Sequence, residues 1–241
     1  MAERTVRRRR ALALGLGIAL LLGLSVWALT YTSLFRAHHI RVDGAGALSA
    51  ERVRTLAGVD AATNVVHVDQ AAVVARLEQD PWIAQASVHV ELPDTLVLEI
   101  TERRPVGVID AMGDTAILAS DATLLPTTSG IPDDLPAVRA ALGAPTQEQR
   151  TAAADLLTAL DPVVVKRVTT ISVGQDGLVT LTLTSGVTVV AGQEGDEGAK
   201  AEALRAVLRW AASKNLDLTS VDISAPTAPS ATLSGGSTLT P

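Results

Sequence analysis

Four histidines have the most versatile side chains in this chain, because imidazole binds metal ions and exchanges protons near neutral pH. His38 and His39 are adjacent in a stretch with strand-like alternation, so we expect their side chains to lie on opposite faces of the strand. Two side chains so placed do not hold one metal ion, and His67 and His89 each stand alone. The chain has no cysteine, which removes thiolate ligands and cysteine nucleophiles. We therefore predict no metal site.

Carboxylate and hydroxyl side chains also occur in groups, but their surroundings do not favour catalysis. Asp133 and Asp134 are neighbours in a Pro-rich stretch, where adjacent carboxylates are more often turn residues than an acid–base pair. The acidic residues in 194–197 precede a helical pattern, whose positive end attracts them. The Ser-Gly pairs at Ser129 and Ser185 lack the pattern of a nucleophile elbow. The sequence predicts no catalytic residue, no cofactor and no small-molecule substrate, with an extracellular enzyme of unrecognised site as an alternative.

Charge is unevenly distributed along the 241 residues. Residues 1–10 contain five Arg and one Glu, although the formal net charge of the chain is −6. The remainder is therefore strongly acidic. This argues against nucleic acid as the partner of the main body.

An uncharged, apolar segment at residues 11–35 follows the basic start. About 20 such residues suffice for a transmembrane helix, and the positive-inside rule places residues 1–10 in the cytoplasm and the body outside. A cleaved signal peptide is the alternative, although the apolar run exceeds the usual core of about 7–15 residues. Gly15, Ala19 and Gly23 recur every fourth residue, so we expect them to form a face for transmembrane helix packing.

Residues 36–104 have the pattern of a small α+β domain. A strand with Ile40 and Val42 on one face comes first, followed by helices that Ser49 and Asp69 are expected to cap. Alternating residues on both sides of Pro93 then predict a hairpin with one buried face. The residues expected on that face are Ala84, Ala86, Val88, Val90, Leu92, Leu96, Leu98 and Ile100.

Residues 105–225 alternate between strand and helix patterns. A capping box that begins at Thr146 predicts one helix, and Asp196 and its neighbours predict the start of a second. The last strand pattern begins at Thr219, and no later strand is expected. We predict a mixed-sheet β domain with two helices. Residues 226–241 have too little apolar content to fold, so we expect a disordered tail.

Two stretches resemble a known family: "IRVDGAGALSAERV" and "PWIAQASVHVELPDTLVLEITERRPVGVI". The β-α-α-β-β order is that of a POTRA domain, and the second stretch in particular is similar to the FtsQ/DivIB family of bacterial cell-division proteins. The likeness extends over nearly the whole chain. The small number of lysines and the abundance of Ala and Val indicate a GC-rich genome, which favours an actinobacterial member of the family. Leu92 stands where many relatives have an aromatic residue, and we expect it to fill the same inward position.

The resemblance implies a non-enzymatic scaffold of the divisome, held in the cell membrane at the division septum. It implies FtsB-type and FtsL-type bitopic partners, other divisome components, and a role in controlling septal peptidoglycan synthesis. An exposed strand edge suits such partners because an extended chain can add to it. A POTRA-type chaperone or recruitment module of a membrane transport or assembly machinery is the alternative. In the family the last strand of the β domain receives the FtsB-type partner, and the matching positions here are Thr219, Ser220, Val221, Asp222, Ile223 and Ser224.

Overall fold

A computed structural model describes residues 2–111, 114–127, 132 and 134–240 of the chain. The Cα positions separate into two compact units, Met1–Glu102 and Arg103–Pro241. Both units combine helices with a β-sheet, so the predicted α+β class is confirmed.

The first unit begins with a long helix, α1 (Ala2–Leu29), and a 3-10 turn, Ser33–Phe35. The regular helix ends at Leu29, before the expected boundary at residue 35, and the hydroxyl group of Thr30 donates a hydrogen bond to the carbonyl oxygen of Trp27. Among the residues that the structure describes, no helix is both long enough and apolar enough to span a membrane. The membrane segment at residues 11–35 stays a prediction.

A three-stranded sheet with two helices forms the rest of the first unit. The elements are β1 (His39–Asp43), α2 (Ala50–Ala57), α3 (Gln70–Leu77), β2 (Ile83–Glu91) and β3 (Thr95–Glu102). The predicted β-α-α-β-β order is therefore confirmed. The strand order in the sheet is β1-β3-β2, with β1 parallel and β2 antiparallel to β3.

The helix boundaries in this unit follow the predicted caps. The side chain of Ser49 accepts a hydrogen bond from the backbone N–H of Arg52 at 3.2 Å, and Asp69 accepts one from Ala72 at 3.0 Å. Gly58 ends α2 in the left-handed region, with φ of +64°. Each cap satisfies a backbone group that the helix end leaves unpaired.

The core of the first unit contains the β3 residues Leu96, Leu98 and Ile100, as expected, together with Trp82. The prediction for Leu92 is wrong, because its side chain is 68% exposed. Leu92 lies beyond Glu91, the last residue of β2 that pairs with β3, and it precedes the cis Pro93. It is therefore outside the part of the hairpin where alternation decides burial.

The second unit is built on a ten-stranded mixed sheet. The strands are β4 (Pro105–Ala111), β5 (Asp114–Ala119), β6 (Leu124–Pro126), β7 (Ala137–Ala140), β8 (Val168–Val173), β9 (Val179–Leu183), β10 (Thr188–Gly192), β11 (Leu218–Asp222), β12 (Ser230–Leu233) and β13 (Thr238–Leu239). Their order across the sheet is β13-β12-β11-β10-β9-β8-β7-β4-β5-β6.

The two predicted helices of this unit are present as α4 (Gln147–Ala159) and α6 (Glu197–Lys214). The capping box between Thr146 and Gln149 is formed, as expected. The structure adds a short third helix, α5 (Pro162–Val165). Asp161 caps it by accepting a hydrogen bond from the N–H of Val163 at 2.8 Å, and this local cap prevails over the strand preference of three consecutive valines.

The prediction of a disordered tail at residues 226–241 is wrong. Ser230–Leu233 forms β12, which pairs with β11, and Thr238–Leu239 forms β13, which pairs with β12. Composition alone was a poor guide here, because β12 is held by backbone pairing with β11 and this pairing does not require apolar side chains.

Candidate functional site

The predicted partner-binding residues lie on β11 and directly after it. Val221 and Ile223 are fully buried, whereas Asp222 and Ser224 are exposed and Ser220 is half-buried. The predicted alternation of the two faces is confirmed. The strand ends at a local turn, where the N–H and the hydroxyl of Ser224 both donate to a carboxylate oxygen of Asp222.

On one side, β11 runs parallel to β10, and Val189 pairs with Val221. The N–H of Ile223 donates to the carbonyl oxygen of Val190 on β10 at 2.8 Å. Because successive backbone groups of a strand point to opposite edges, Val221 directs its N–H and C=O to β10 as well. Ser220 and Asp222 therefore direct theirs to the outer side of β11.

The outer side of β11 is not free, which corrects the expectation that no later strand follows. β12 pairs with it in antiparallel orientation, with Ser220 opposite Thr232, Val221 opposite Ala231 and Asp222 opposite Ser230. The predicted site thus exists as a strand of the right pattern, but residues of the same chain occupy its edge.

Both outermost strands of the larger sheet are short. At the β11 end the last strand is β13, which has two residues, and at the other end it is β6, which has three and finishes at Pro126. A strand this short offers few backbone groups to an added chain. The smaller sheet differs, because its outer strand β2 has nine residues. Part of that edge is covered, since the N–H of Ala86 donates to a carboxylate oxygen of Glu78 at 3.2 Å.

The small-residue positions Gly15, Ala19 and Gly23 lie on α1 and are exposed in the chain. Apart from the adjoining residues and the backbone of the helix itself, no heavy atom lies within 4 Å of where a side chain would begin at Gly15 or Gly23. Helix packing through this face stays a prediction.

Two of the histidines, His38 and His39, share an acidic neighbour, whereas His67 has a different environment. His38 and His39 both approach Asp94, at 3.6 and 4.0 Å. His67 stacks on Tyr31, with ring centroids 4.2 Å apart, and its ring lies 2.9 Å from the hydroxyl of Thr30. In the described part of the chain, no three His, Asp or Glu side chains are grouped so that they could hold a metal ion.

The acidic groups that the sequence offered for chemistry have structural partners where the structure describes them. Asp196 caps α6 by accepting a hydrogen bond from the N–H of Ala199 at 2.9 Å, as its helix-start position predicted. Glu197 pairs at 2.9 Å with Lys200, a buried lysine that also donates to the carbonyl oxygen of Gln193. Asp133 and Ser129 lie outside the described residues.

Glu102 has a structural role that the sequence reasoning missed. Its carboxylate accepts hydrogen bonds from three consecutive backbone N–H groups, those of Gly46, Ala47 and Leu48, at 2.9, 2.7 and 2.9 Å. It thereby ties the end of β3 to the loop before α2. The signal was available: a Gly-rich loop leaves several N–H groups without secondary-structure partners, and they require an acceptor.

A second missed contact joins Asp80 to Arg52. The Asp80 side chain is 4% exposed, and it receives hydrogen bonds from Arg52 at 2.9 Å and from the N–H of Trp82 at 3.0 Å. A buried carboxylate needs such partners because burial without them is costly.

Two surface ion pairs shift the ionisation of their members. Hydrogen bonds from the guanidinium to Glu91 and then to Asp43 raise the pKa of Arg41. Partial burial by itself would raise the pKa of Asp121, but the hydrogen bond from Arg103, at 2.7 Å, and those from Thr123 outweigh it and lower that pKa.

Comparison with known protein families agrees with this architecture. Residues 35–103 match the POTRA domain of FtsQ type, and residues 107–224 match the C-terminal region of the cell division protein FtsQ/DivIB. The chain thus has both domains that these family models describe. It belongs to the FtsQ/DivIB family.

Curated relatives support the same assignment. The chain is 30% identical over 237 residues to the cell division protein FtsQ of Streptomyces bingchenggensis, a match that covers 95% of this chain and 88% of that protein. It is 31% identical to FtsQ of Mycobacterium tuberculosis (92% and 70% covered) and 32% identical to FtsQ of Mycolicibacterium smegmatis (88% and 61% covered). All three sources are actinobacteria, as the composition predicted.

A solved structure also aligns with part of the chain. It is the major extracytoplasmic domain of the trans isomer of the cell division protein DivIB from Geobacillus stearothermophilus. The match has 17% identity and a TM-score of 0.35, and it covers 48% of this chain and 96% of that one. A TM-score this low does not establish a shared fold.

Proposed function

We propose that the chain is a non-enzymatic scaffold of the division machinery that binds FtsB-type and FtsL-type bitopic proteins outside the membrane. Through this complex it helps to control septal peptidoglycan synthesis. Membership of a cell-division family supports a role in cell division, and the geometry of β11 supports binding by strand addition. The proposed contact is Thr219–Ser224, to which an extended partner segment adds as a strand.

The observation that carries the proposal is the pattern of β11 at the end of the matched family region. Its apolar residues face the core, and Ser220 and Asp222 direct their backbone groups to the outer edge. Backbone groups that face outward supply affinity to an added strand, and alternate side chains supply specificity. Specificity then depends on the partner residue that lies opposite Val221.

The test is co-purification of division proteins with the tagged full chain from detergent-solubilised membranes. Ser220→Pro removes one outward N–H from β11, whereas Ser220→Ala shortens the side chain but keeps that N–H. We expect the proline variant to lose at least tenfold of the co-purifying FtsB-type partner and the alanine variant to retain it. Equal recovery with both variants would remove β11 as the contact. Proline at Val221 would be a poor test, because its backbone groups face β10.

The proposal also includes an anchor at residues 11–35, with residues 1–10 in the cytoplasm and the body outside. The absence of cysteine makes this testable with one introduced thiol. A membrane-impermeant maleimide added to intact cells, or to spheroplasts if the cell wall blocks the reagent, should label Ser234→Cys and leave Thr5→Cys unlabelled. Labelling in the opposite order would refute this topology.

The nine-residue edge strand β2 favours a second candidate, a recruitment module of a membrane assembly machinery. In this alternative the POTRA unit binds the main partner. The co-purification separates the two candidates, because the alternative predicts translocation or assembly proteins in the eluate and no effect of Ser220→Pro.

A further inference from the structure

The tail of the chain occupies the edge that the proposed partner needs. β12 covers the outer side of β11 from Leu218 to Asp222, and β13 adds two residues beyond it. The matched family region ends at residue 224, so β11 lies inside this region and both tail strands lie outside it. The proposed binding strand, β11, therefore belongs to the family region, whereas β12, which covers it, belongs to a segment that follows this region.

The tail contributes few apolar side chains to the second unit. Ala231 is its only core residue among those that the structure describes, at 1% exposure, and Leu233 is half-buried. A buried methyl group stabilises far less than a buried Val or Leu side chain. The ladder also has an irregularity between Leu218 and Ser220. β12 is thus held mainly by backbone hydrogen bonds, whose net contribution is modest because water replaces them when the strand leaves.

Addition outside the tail is unfavourable, because the outermost strand, β13, has only two residues. A partner that uses backbone pairing along five residues must reach β11 itself. We propose that residues 230–239 act as an intramolecular competitor, which occupies the edge of β11 and leaves it when an extended partner segment binds. This inference rests on the proposed function, because the competitor and the partner share one edge.

The structure of the competitor indicates what displaces it. β12 is antiparallel to β11, places Ala231 opposite Val221 and turns Ser230 and Thr232 away from the core. A displacing partner is therefore an extended segment with an apolar side chain opposite Val221 and polar residues on either side. Because only a short linker tethers the tail to β11, its effective concentration is on the order of millimolar. A partner consequently binds more weakly to the closed chain than to the open one.

Two variants of the full chain change the competitor in opposite directions. Thr232→Pro removes an N–H that β12 offers to Ser220 and weakens the tail without altering β11. Ser220→Cys with Thr232→Cys locks the tail by a disulfide, because directly opposed residues have Cα atoms about 5.5 Å apart, within the range for a disulfide. No other cysteine is present, so only this bond forms within the chain. Thr240→Pro is the matched control, because it lies in the tail beyond β13.

The first measurement uses a fluorescein-labelled peptide of residues 226–241 as the strand probe. In fluorescence anisotropy, Thr232→Pro should bind the peptide at least tenfold more tightly than the original chain and Thr240→Pro. The oxidised double-cysteine variant should bind at least tenfold more weakly than its reduced form. Equal binding by the open and locked forms would overturn the inference.

The second measurement repeats the co-purification with the same forms and separates the two proposals. Greater recovery of division proteins with Thr232→Pro, and loss with the oxidised lock, supports both. Equal recovery of division proteins with the open and locked forms overturns the proposal that the tail competes with the partner, even if a division complex forms. No division protein with any form overturns the proposed function. Unchanged hydrogen exchange in β8 and β9 checks that each variant is folded.

Discussion

Glu102→Ala is expected to destabilise the first unit through the loop before α2. The Glu102 carboxylate is the shared acceptor for the N–H groups of Gly46, Ala47 and Leu48. Alanine leaves these three donors without a protein acceptor and releases the loop from the end of β3.

The expected cost follows from the exposure of each donor. A hydrogen bond to a charged acceptor contributes about 1.5–3 kcal/mol net. Leu48 is buried, so losing the acceptor of its N–H costs this full amount. Gly46 and Ala47 are exposed, so water can replace the carboxylate and the loss is about 0.5 kcal/mol or less for each. The free energy of unfolding of the first unit should therefore fall by about 2–3 kcal/mol.

Hydrogen exchange of the buried β3 amides measures this loss in the full chain. Since about 1.36 kcal/mol corresponds to a tenfold change, exchange through global opening should accelerate about 30- to 150-fold. The matched control is Glu99→Ala on the same strand, where the exposed carboxylate accepts one hydrogen bond, from Ser87 at 3.1 Å. That control should change exchange less than about threefold. Acceleration by Glu102→Ala no greater than that of the control would refute the reasoning.

Three further substitutions test other contacts. Arg52→Met removes the guanidinium that pairs with the buried Asp80 carboxylate and should lower the unfolding free energy by about 1–3 kcal/mol in urea titrations; no change would mean that water replaces the guanidinium. Gly44 has φ +85° and lies against a backbone carbonyl of β3, so Gly44→Ala should lower the unfolding free energy by at least about 3 kcal/mol. Gly186 has the same φ of +85° but open space around it, so Gly186→Ala should lower the unfolding free energy by only about 1 kcal/mol. Equal losses would contradict the role of the close contact at Gly44. Asp121→Asn should cost about 0.5 kcal/mol at pH 7 because the pair is partly exposed; since the folded pKa is lowered, this difference should be constant above about pH 5 and vanish as the pH falls through that lowered pKa. A difference that does not shrink as the pH is lowered below about pH 5 would exclude the ion pair as its cause.

Local sequence signals were sufficient for most helices and for the buried side of β11, but not for all of β3, where Val97 is fully buried although alternation assigns it to the outer face. Capping residues such as Ser49, Asp69 and Thr146 act on backbone groups within three positions, so their effect is readable from the sequence. The alternation around Val221 likewise identified its buried side. These features depend on neighbours along the chain, and the structure confirms them.

The features that were missed depend on distant partners. β12 forms because β11 offers unpaired backbone groups, and a Ser/Thr-rich tail with one buried alanine gives no apolar pattern that would predict it. Glu102 acts on a loop more than fifty positions earlier in the chain. Leu92 is exposed because pairing stops one residue before it, which alternation alone does not reveal.

Action at the division site through β11 is measured most directly by the position of a fluorescent fusion of the full chain in dividing cells. We expect a band at the division site that is retained by Ser220→Ala, together with normal septa in cells depleted of the native protein. We expect Ser220→Pro not to restore septation under the same depletion. A fusion spread evenly through the envelope or the cytoplasm during constriction, or full rescue by Ser220→Pro, would show that the chain does not act through β11 at the division site.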